Sequence, residues 1–244
     1  LRIQGMYEEA LNSCEKALFL KPDHPQSYCN KGNIFIDQGK SDDAISSYDK
    51  ALALEPDNAD AHNNMGSALE YQGRIEEAIV SYETAISLKH NFADAHYNLS
   101  HALMNYGRLK EGLDEYEWRW KTMKHRPSKR HFSQPQWDGK QSLEGKRILL
   151  WSEQGVGDTI IWSSCLPIIA SKAAECILEC QEKLVPVLAR SFPKVRVNSV
   201  NTSLDFNRND FDVHLPMGSL YRCCLPLLAK DSQTNAFLIP DPTL

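Results

Sequence analysis

PQSYCNKGNIFIDQGKSDDAISSYDKALALEPDN (residues 25–58) is followed without a break by ADAHNNMGSALEYQGRIEEAIVSYETAISLKHNF (residues 59–92). The two blocks have the same length, and both have a glycine near the start, a glycine in the middle, and alanines and a tyrosine in the second half. A fixed period of about 20–50 residues indicates stacked copies of one supersecondary unit. Glycine recurs every 34 residues through and beyond the blocks, at Gly5, Gly39, Gly73 and Gly107.

A period of 34 residues is that of tetratricopeptide repeats, each of which is a helix–turn–helix unit. We therefore predict an α-solenoid of such repeats over residues 1–121. Gly32 and Gly66 fall in the first helix of a repeat, where a small residue lets the paired helices approach closely. The glycine between the two helices, such as Gly39, tolerates the positive φ of a helix end.

The repeats at the two ends depart from this pattern. Leu1 falls inside what should be a first helix, so the opening repeat is partial. We expect the chain to be a fragment, or its parent to carry more repeats upstream. Terminal repeats are usually atypical, because one of their faces meets something other than another repeat. Around the third repeat, the expected proline, glycine and two alanines are replaced by His90, Ser100, Gly112 and Arg119.

The composition predicts a cytoplasmic protein with reduced thiols. The 244 residues carry a net charge of −5, are 42% apolar and have a mean hydropathy of −0.46. No apolar run approaches the ~18 residues of a membrane span, and the acidic balance argues against nucleic-acid binding. The seven cysteines show no zinc spacing, so we expect no metal site.

One polar position recurs on the predicted concave side of the solenoid, at Asn30, Asn64 and Asn98. An asparagine side chain offers an acceptor and two donors, so a row of them can pair with the backbone of an extended peptide. We predict that a protein or peptide binds in this groove. The alternative is structural, with each asparagine capping or bridging neighbouring helices. The rows YCNKG, HNNMG and HYNLS around these residues resemble the repeats of O-linked N-acetylglucosamine transferase, where such a ladder holds substrate protein.

The period stops near residue 122, and residues 122–146 form a predicted linker. This segment is rich in lysine, arginine and histidine, with tryptophans around it. A basic patch with interleaved aromatic residues is typical of RNA or phosphate binding. We favour a solvated connector and predict no nucleic-acid partner, because the whole chain is acidic.

Residues 147–244 read as a second domain that alternates strands and helices. Arg147–Ser152 is a short apolar run typical of a buried strand, and a glycine loop and a helix to about Ala174 follow it. This order opens an α/β fold with a parallel sheet and right-handed crossovers. Three further strands are predicted at Cys176–Gln181, Val195–Val200 and Phe211–Leu215, with a helix at Glu182–Phe192.

The glycine loop, Glu153–Ile160, is not a dinucleotide fingerprint, because Ile160 stands where a third glycine is required. It also lacks the lysine of a phosphate-binding loop. Asp158 lies where the helix starts, and a carboxylate there is a candidate general base at the edge of a cleft. The alternative is that Asp158 only caps the helix. His214 could face the same cleft, but we favour a core position for it.

Four motifs resemble those of bacterial repeat-fused glycosyltransferases, whose C-terminal part is similar to the lipopolysaccharide heptosyltransferases. The resemblance spans nearly the whole chain, and the block EQGVGDTI is its most specific part. It implies a Rossmann-like α/β domain that is the acceptor-side, N-terminal half of a two-domain enzyme. The motifs are PQWDG (135–139), LEGKR (143–147), EQGVGDTI (153–160) and DFDVHLP (210–216), after repeats that end in YEWRW (116–120).

The resemblance also implies site residues. Asp158 matches the aspartate proposed as general base, and Gly155, Gly157 and Thr159 match the substrate-binding loop. The implied reaction is inverting transfer, in which an acceptor oxygen attacks the anomeric carbon and a nucleoside diphosphate leaves. The nucleoside diphosphate sugar would be a donor substrate of the full-length parent, and no tightly bound cofactor is implied. The chain stops at Phe237–Leu244, so we expect the donor-binding domain to be supplied in cis or in trans.

Two functional hypotheses follow. In the first, a peptide-binding repeat module is fused to the acceptor-side domain of a glycosyltransferase, and the chain alone is inactive because transfer needs donor and acceptor held together. In the second, the chain is a non-catalytic scaffold that mediates protein–protein interaction.

Overall fold

The structure, a computed structural model, describes residues 6–123, 129–200 and 208–228, in two compact units that divide at Arg126 and Pro127. The predictions made for Leu1 and Gly5, and for the terminal segment Phe237–Leu244, lie outside the described residues.

The first unit is a series of helices that pack against their neighbours in chain order. They pair as α2 with α3, α4 with α5, and α6 with α7, which matches the predicted repeats. A 3₁₀ helix, Tyr116–Lys121, ends the series. The helices are α1 (Tyr7–Leu20), α2 (Pro25–Asp37), α3 (Ser41–Leu54), α4 (Ala59–Tyr71), α5 (Ile75–Leu88), α6 (Ala93–Tyr106) and α7 (Leu109–Glu115).

Glycine and tyrosine together set the spacing within each repeat. A Cβ atom on Gly32 would lie 2.5 Å from Cε1 of Tyr48, and one on Gly66 would lie 2.6 Å from Cε1 of Tyr82. Both tyrosine rings are buried, so the absence of a side chain on the glycine is what admits them. The predicted close approach of the paired helices is therefore confirmed. The turn glycines have positive φ, as expected: 73° at Gly39, 77° at Gly73 and 93° at Gly107.

Arg119 stands where the other repeats have an alanine, and the structure explains this difference. α7 is short, and the chain continues as a 3₁₀ helix in which Arg119 is fully buried. Its guanidinium lies 4.7 Å from the centre of the Tyr116 ring and 4.3 Å from that of Trp120, and it donates to a Glu117 carboxylate oxygen at 2.9 Å. A cation held between aromatic rings replaces the small alanine of an internal repeat.

The second unit contains a parallel sheet. Its elements are β1 (Arg147–Trp151), α8 (Val156–Ser163), α9 (Leu166–Ala170), β2 (Glu175–Cys180), a 3₁₀ turn (Glu182–Leu184), α10 (Val185–Ser191), β3 (Val195–Ser199), β4 (Val213–Pro216) and α11 (Met217–Leu228). The strands lie in the order β3-β2-β1-β4, and each neighbouring pair is parallel.

The predicted strands and their parallel pairing are confirmed, with shifted ends. β4 begins at Val213 and not at Phe211. The single helix predicted up to Ala174 is two helices, because Pro167 in the first turn of α9 cannot donate to the preceding turn. One face of the sheet packs on α9 and α11 through residues such as Ile148 and Leu178.

Part of the predicted linker 122–146 packs within the second unit. Trp137 is buried in its core, and its indole N–H donates to the Gln141 carbonyl oxygen at 2.9 Å. All seven cysteines are free thiols, and six of them are buried. Among the residues that the structure describes, every helix is too short or too polar to span a membrane.

Candidate functional site

The asparagine row, Asn30, Asn64 and Asn98, lies at the same position of three first helices, α2, α4 and α6. Asn30 is exposed, and Asn64 and Asn98 are partly exposed. Solvent, and hence a peptide, can therefore reach the side chains of the row.

The row is also part of a chain of amide hydrogen bonds. Asn98 donates to Asn63 Oδ1 at 3.0 Å, and Asn63 donates to Asn64 Oδ1 at 3.3 Å. Asn64 donates in turn to Asn33 Oδ1 at 2.9 Å, which also accepts from the Tyr48 hydroxyl at 2.7 Å. These bonds cross from α6 to α4 and from α4 to α2. Bridging between neighbouring helices, the structural alternative, therefore does occur at Asn64 and Asn98.

Bridging does not use up the hydrogen-bonding capacity of the row. An amide nitrogen carries two hydrogens, and Asn64 and Asn98 each use one of theirs in the bonds above. Asn30 accepts from Gln26 Nε2 at 3.1 Å and keeps its own amide donors. Each member of the row thus retains at least one N–H that can meet a peptide carbonyl.

Sequence reasoning missed the residues that hold the row in place. Asn33 follows Asn30 by one helical turn, and Asn63 directly precedes Asn64, so a search for amides beside the row would have found both. Glu70 was also missed. Burial raises the pKa of this carboxyl group, which accepts from the Tyr82 hydroxyl at 3.1 Å.

The glycine loop connects β1 to α8. Gly155 is the residue before the helix, and its N–H donates to Asp158 Oδ2 at 3.2 Å. Asp158 therefore caps the helix as its third residue and is not the N-cap, which is Gly155. The capping alternative is thus realised, while Oδ1 has no hydrogen-bond partner within the described residues. A Cβ atom on Gly157 would meet nothing within 4 Å, so this side of the loop is open.

Thr159 lies behind the loop and is fully buried. Its hydroxyl is 2.6 Å from Ser152 Oγ and 3.0 Å from the Gly155 carbonyl oxygen. Gln181, the residue directly after β2, completes the arrangement, because its amide donates to the Gln154 carbonyl oxygen at 2.6 Å. These bonds fix the loop at the carboxyl ends of β1 and β2. Gln181 was not identified from the sequence, since nothing along the chain links it to residue 154.

His214 lies in the core and not in the loop region. Its Nδ1 accepts from the Trp151 indole N–H at 3.2 Å, and its ring packs on Phe132. Burial, and then the charges of Arg130 and Lys129, lower the pKa of His214 to about 4. The imidazole is therefore neutral at ordinary pH, and it serves as a hydrogen-bond acceptor.

A buried carboxylate lies on the same face of the sheet. Glu179 is 3% exposed and forms ion pairs with two guanidinium groups, those of Arg130 and Arg208. Arg208 also pairs with Asp210, which helps to hold the pKa of that carboxyl below its usual range. No group of three or more side chains suited to metal binding occurs among residues 6–123, 129–200 and 208–228.

Comparison with known proteins supports the repeat assignment. A family model described as TPR repeat matches residues 32–73 and 69–107, so this part of the chain consists of tetratricopeptide repeats. Protein FlbA of Caulobacter vibrioides is 31% identical over 120 residues, which are 43% of this chain and 20% of FlbA. The chain thus spans about a fifth of the length of this curated relative.

Two groups of solved structures are similar to parts of the chain. MamA is 27% identical, with a TM-score of 0.46, over 51% of this chain and 72% of MamA. The first TPR domain of Spaghetti (RPAP3), bound to the HSP90 peptide SRMEEVD, is 26% identical, with a TM-score of 0.42, over 43% of this chain and 82% of that domain.

Proposed function

We propose that the first unit, which contains the tetratricopeptide repeats, binds an extended polypeptide. The peptide would lie along the first helix of each repeat, and Asn30, Asn64 and Asn98 would hold its backbone. The observation that carries this proposal is the row of accessible amides, each with an unused N–H, on three successive first helices. Tetratricopeptide arrays present extended binding surfaces built from such stacked helices. Because amides can pair with any backbone, the row itself imposes little sequence preference.

The charge around the row selects among peptides. α4 and α6 contain no lysine or arginine, but they carry Asp60, Glu70 and Asp94. Lys31 of α2, beside Asn30, pairs with Glu15 at 3.0 Å. A carboxylate-rich peptide would meet like charge here, and this disfavours its binding. We therefore expect neutral or basic segments to bind in preference to acidic ones.

The test is binding of labelled peptides of about 12 residues, long enough when extended to cross three stacked helices. Neutral, lysine-rich and glutamate-rich peptides selected from an array would be measured by fluorescence anisotropy. Asn98→Ala should weaken binding about tenfold, and Asn30→Ala with Asn98→Ala should weaken it further. Asn63→Ala is the matched control, because it removes the helix bridge without removing a member of the row. An equal loss in Asn63→Ala and Asn98→Ala would show that the row has only a structural role.

We propose further that the second unit is a Rossmann-like acceptor-side domain of a glycosyltransferase. The strand order β3-β2-β1-β4, with a glycine loop between β1 and α8, is consistent with one half of a doubly wound sheet. Ligands of such sheets bind at the carboxyl ends of the strands, where this loop lies. The inverting transfer would need a donor-binding domain, in cis or in trans, for the nucleoside diphosphate sugar.

Within this proposal, Asp158 takes the proton from the acceptor hydroxyl as its oxygen attacks the anomeric carbon. The bond from Gly155 to Oδ2 orients the carboxylate, and Oδ1 is the atom that would accept the proton. The backbone at Gly155 and Gly157 would contact the acceptor. Thr159 would act indirectly, since its buried hydroxyl holds the loop.

Substitution of Asp158 separates catalysis from capping. In the presence of the donor-binding domain, Asp158→Asn should abolish transfer while it keeps an oxygen that can accept from Gly155. Transfer that persists in Asp158→Asn would rule out the general-base role. A thermal-shift screen of this chain with nucleoside diphosphate sugars should give no stabilisation, because the donor site lies in another domain. A clear shift would overturn that assignment.

The second candidate is a non-catalytic scaffold. It is favoured by the use of Asp158 as a helix cap, which needs no catalytic role for this carboxylate. Peptide binding without any transfer, with donor and donor-binding domain present, would support it.

A further inference from the structure

Another groove lies on the first unit. It runs between α3 and α5, the second helices of two successive repeats, and α4 forms its floor. It has a volume of about 460 Å³ and does not include the asparagine row. Met65 and Leu69 of α4 form its buried floor, and partly exposed Ile45 and Leu52 of α3 form one wall. We call it the α3–α5 groove.

Val80 forms the opposite wall and is 62% exposed. The repeat pattern does not require an apolar residue here, because the equivalent positions 34 residues away are Ser46 and Asp114. Covering this side chain would remove apolar surface from water, which favours association. Together with Ile45 and Leu52 across the groove, Val80 forms a contiguous apolar surface, which is typical of a binding site.

The polar groups on the rim of the groove are mostly acceptors. Asp49 and Glu76 are exposed carboxylates with no hydrogen-bond partner within the described residues. Arg74, the one arginine of the rim, donates to both carboxylate oxygens of Glu77, at 2.7 and 2.6 Å. The rim therefore has a net negative charge and complements a cationic partner.

His62 adds another acceptor. Its Nε2 lies 2.9 Å from the Pro56 carbonyl oxygen, which can only accept, so Nε2 carries the proton. In the neutral ring, Nδ1 is then an acceptor, and it has no partner within the described residues. A side chain that donates hydrogen bonds, such as lysine or arginine, matches this atom as well as the two carboxylates.

The next repeat shows how the equivalent histidine is covered. His96 makes the same bond to the His90 carbonyl oxygen, at 3.0 Å. Its ring stacks on Trp118 with 3.7 Å between the ring centroids, and Lys121 lies over that tryptophan. In the last repeat, the chain thus covers this histidine with its own side chains: Trp118 stacks on the ring, and Glu115 Oε2 lies 2.5 Å from Nδ1. In the α3–α5 groove, His62 stays partly exposed.

We propose that the α3–α5 groove docks an amphipathic helix of a partner protein whose apolar face is flanked by lysine or arginine. The apolar face would cover Val80, Ile45 and Leu52, and the cations would pair with Asp49 and Glu76. Binding of an amphipathic helix in a groove between helices is a common mode of recognition. This surface is separate from the asparagine row, so both can be occupied together.

The test uses a labelled leucine/lysine peptide of about 14 residues with leucines at helical spacing, measured by fluorescence anisotropy on the full chain. A leucine/glutamate helix and a shuffled leucine/lysine peptide are the reference probes. We expect binding of the first peptide only, with affinity lowered about tenfold by Val80→Asp and by Glu76→Lys. Val80→Ser, the residue of an equivalent position, tests the wall without a new charge.

Glu83→Lys is the matched control, because it makes the same charge change on α5 outside the groove. It should alter affinity less than threefold, and Asn98→Ala should leave it unchanged. Equal losses in Glu76→Lys and Glu83→Lys, or equal binding of the shuffled peptide, would overturn the proposal as non-specific charge attraction. Self-association of the chain that Val80→Ser abolishes would also overturn it, since a second copy would then cover the groove.

Discussion

Gly66→Ala is a sharp test of how the repeats pack, because local propensity and tertiary contact predict opposite effects. Gly66 lies inside α4, where alanine is favoured over glycine by about 1 kcal/mol. If the site were open, the substitution would stabilise the protein. The Cβ atom would instead lie 2.6, 2.8 and 2.9 Å from three atoms of the Tyr82 ring.

The steric clash with the Tyr82 ring should outweigh the gain in helix propensity. The Tyr82 side chain is 1% exposed, so its ring cannot move aside without separating α4 from α5. Overpacking a buried site costs about 1–3 kcal/mol. Because three ring atoms are involved, we expect the upper end of that range. After the gain in helix propensity, Gly66→Ala should lower the free energy of unfolding by about 2 kcal/mol.

The assay is urea unfolding followed by far-UV circular dichroism. The decisive control is Gly66→Ala in a protein that also carries Tyr82→Val, because the valine lacks the ring atoms that clash. In that background, Gly66→Ala should raise the free energy of unfolding by about 1 kcal/mol. Tyr82→Phe is the second control, since it keeps the ring and removes only the hydroxyl bonds to Ser67 and Glu70.

A change of sign between the two backgrounds is the expected result. If Gly66→Ala is neutral or stabilising with Tyr82 present, the close approach of the helices does not constrain this position. An equal loss in both backgrounds would place the cost elsewhere in α4.

Three further predictions concern the second unit. Because burial lowers the pKa of His214 to about 4, the unfolded state binds its proton first as pH falls. The free energy of unfolding should therefore drop by about 3 kcal/mol between pH 6.5 and 4, and His214→Gln should remove this slope in pH-dependent urea titrations. Glu179→Gln should lower the free energy of unfolding, measured with urea, by about 3 kcal/mol, because it leaves cations such as Arg208 without their buried partner. A decrease below about 1 kcal/mol would contradict this prediction. Asp158→Ala should lower the free energy of unfolding by about 1 kcal/mol, because it loses the bond from Gly155, and Asp158→Asn should lower it clearly less in the same assay.

The repeat architecture could be predicted from the sequence in some detail. Gly39 and Gly73 marked the helix ends, and Gly32 and Gly66 marked the close approaches. These features repeat at a fixed distance along the chain, so each occurrence supports the others. The strands of the second unit were predicted with ends shifted by a few residues, since short apolar runs locate a strand but not its limits.

The candidate sites were only half predictable. The asparagine row could be found from its period, but its bonds to Asn33 and Asn63 could not, because they depend on how neighbouring helices stack. Gln181 was missed for the same reason, as β2 brings it beside a loop that is far away in sequence.

The sequence by itself determined the type and order of the elements: a repeat of 34 residues, and then alternating strands and helices. These follow from local backbone preferences and from side-chain periodicity, which act over a few residues. Only the tertiary structure decided the strand order β3-β2-β1-β4, the burial of Glu179 between two arginines, and the exposure of Val80 in a groove. Each of these depends on contacts between residues far apart in the chain, and no local pattern records them.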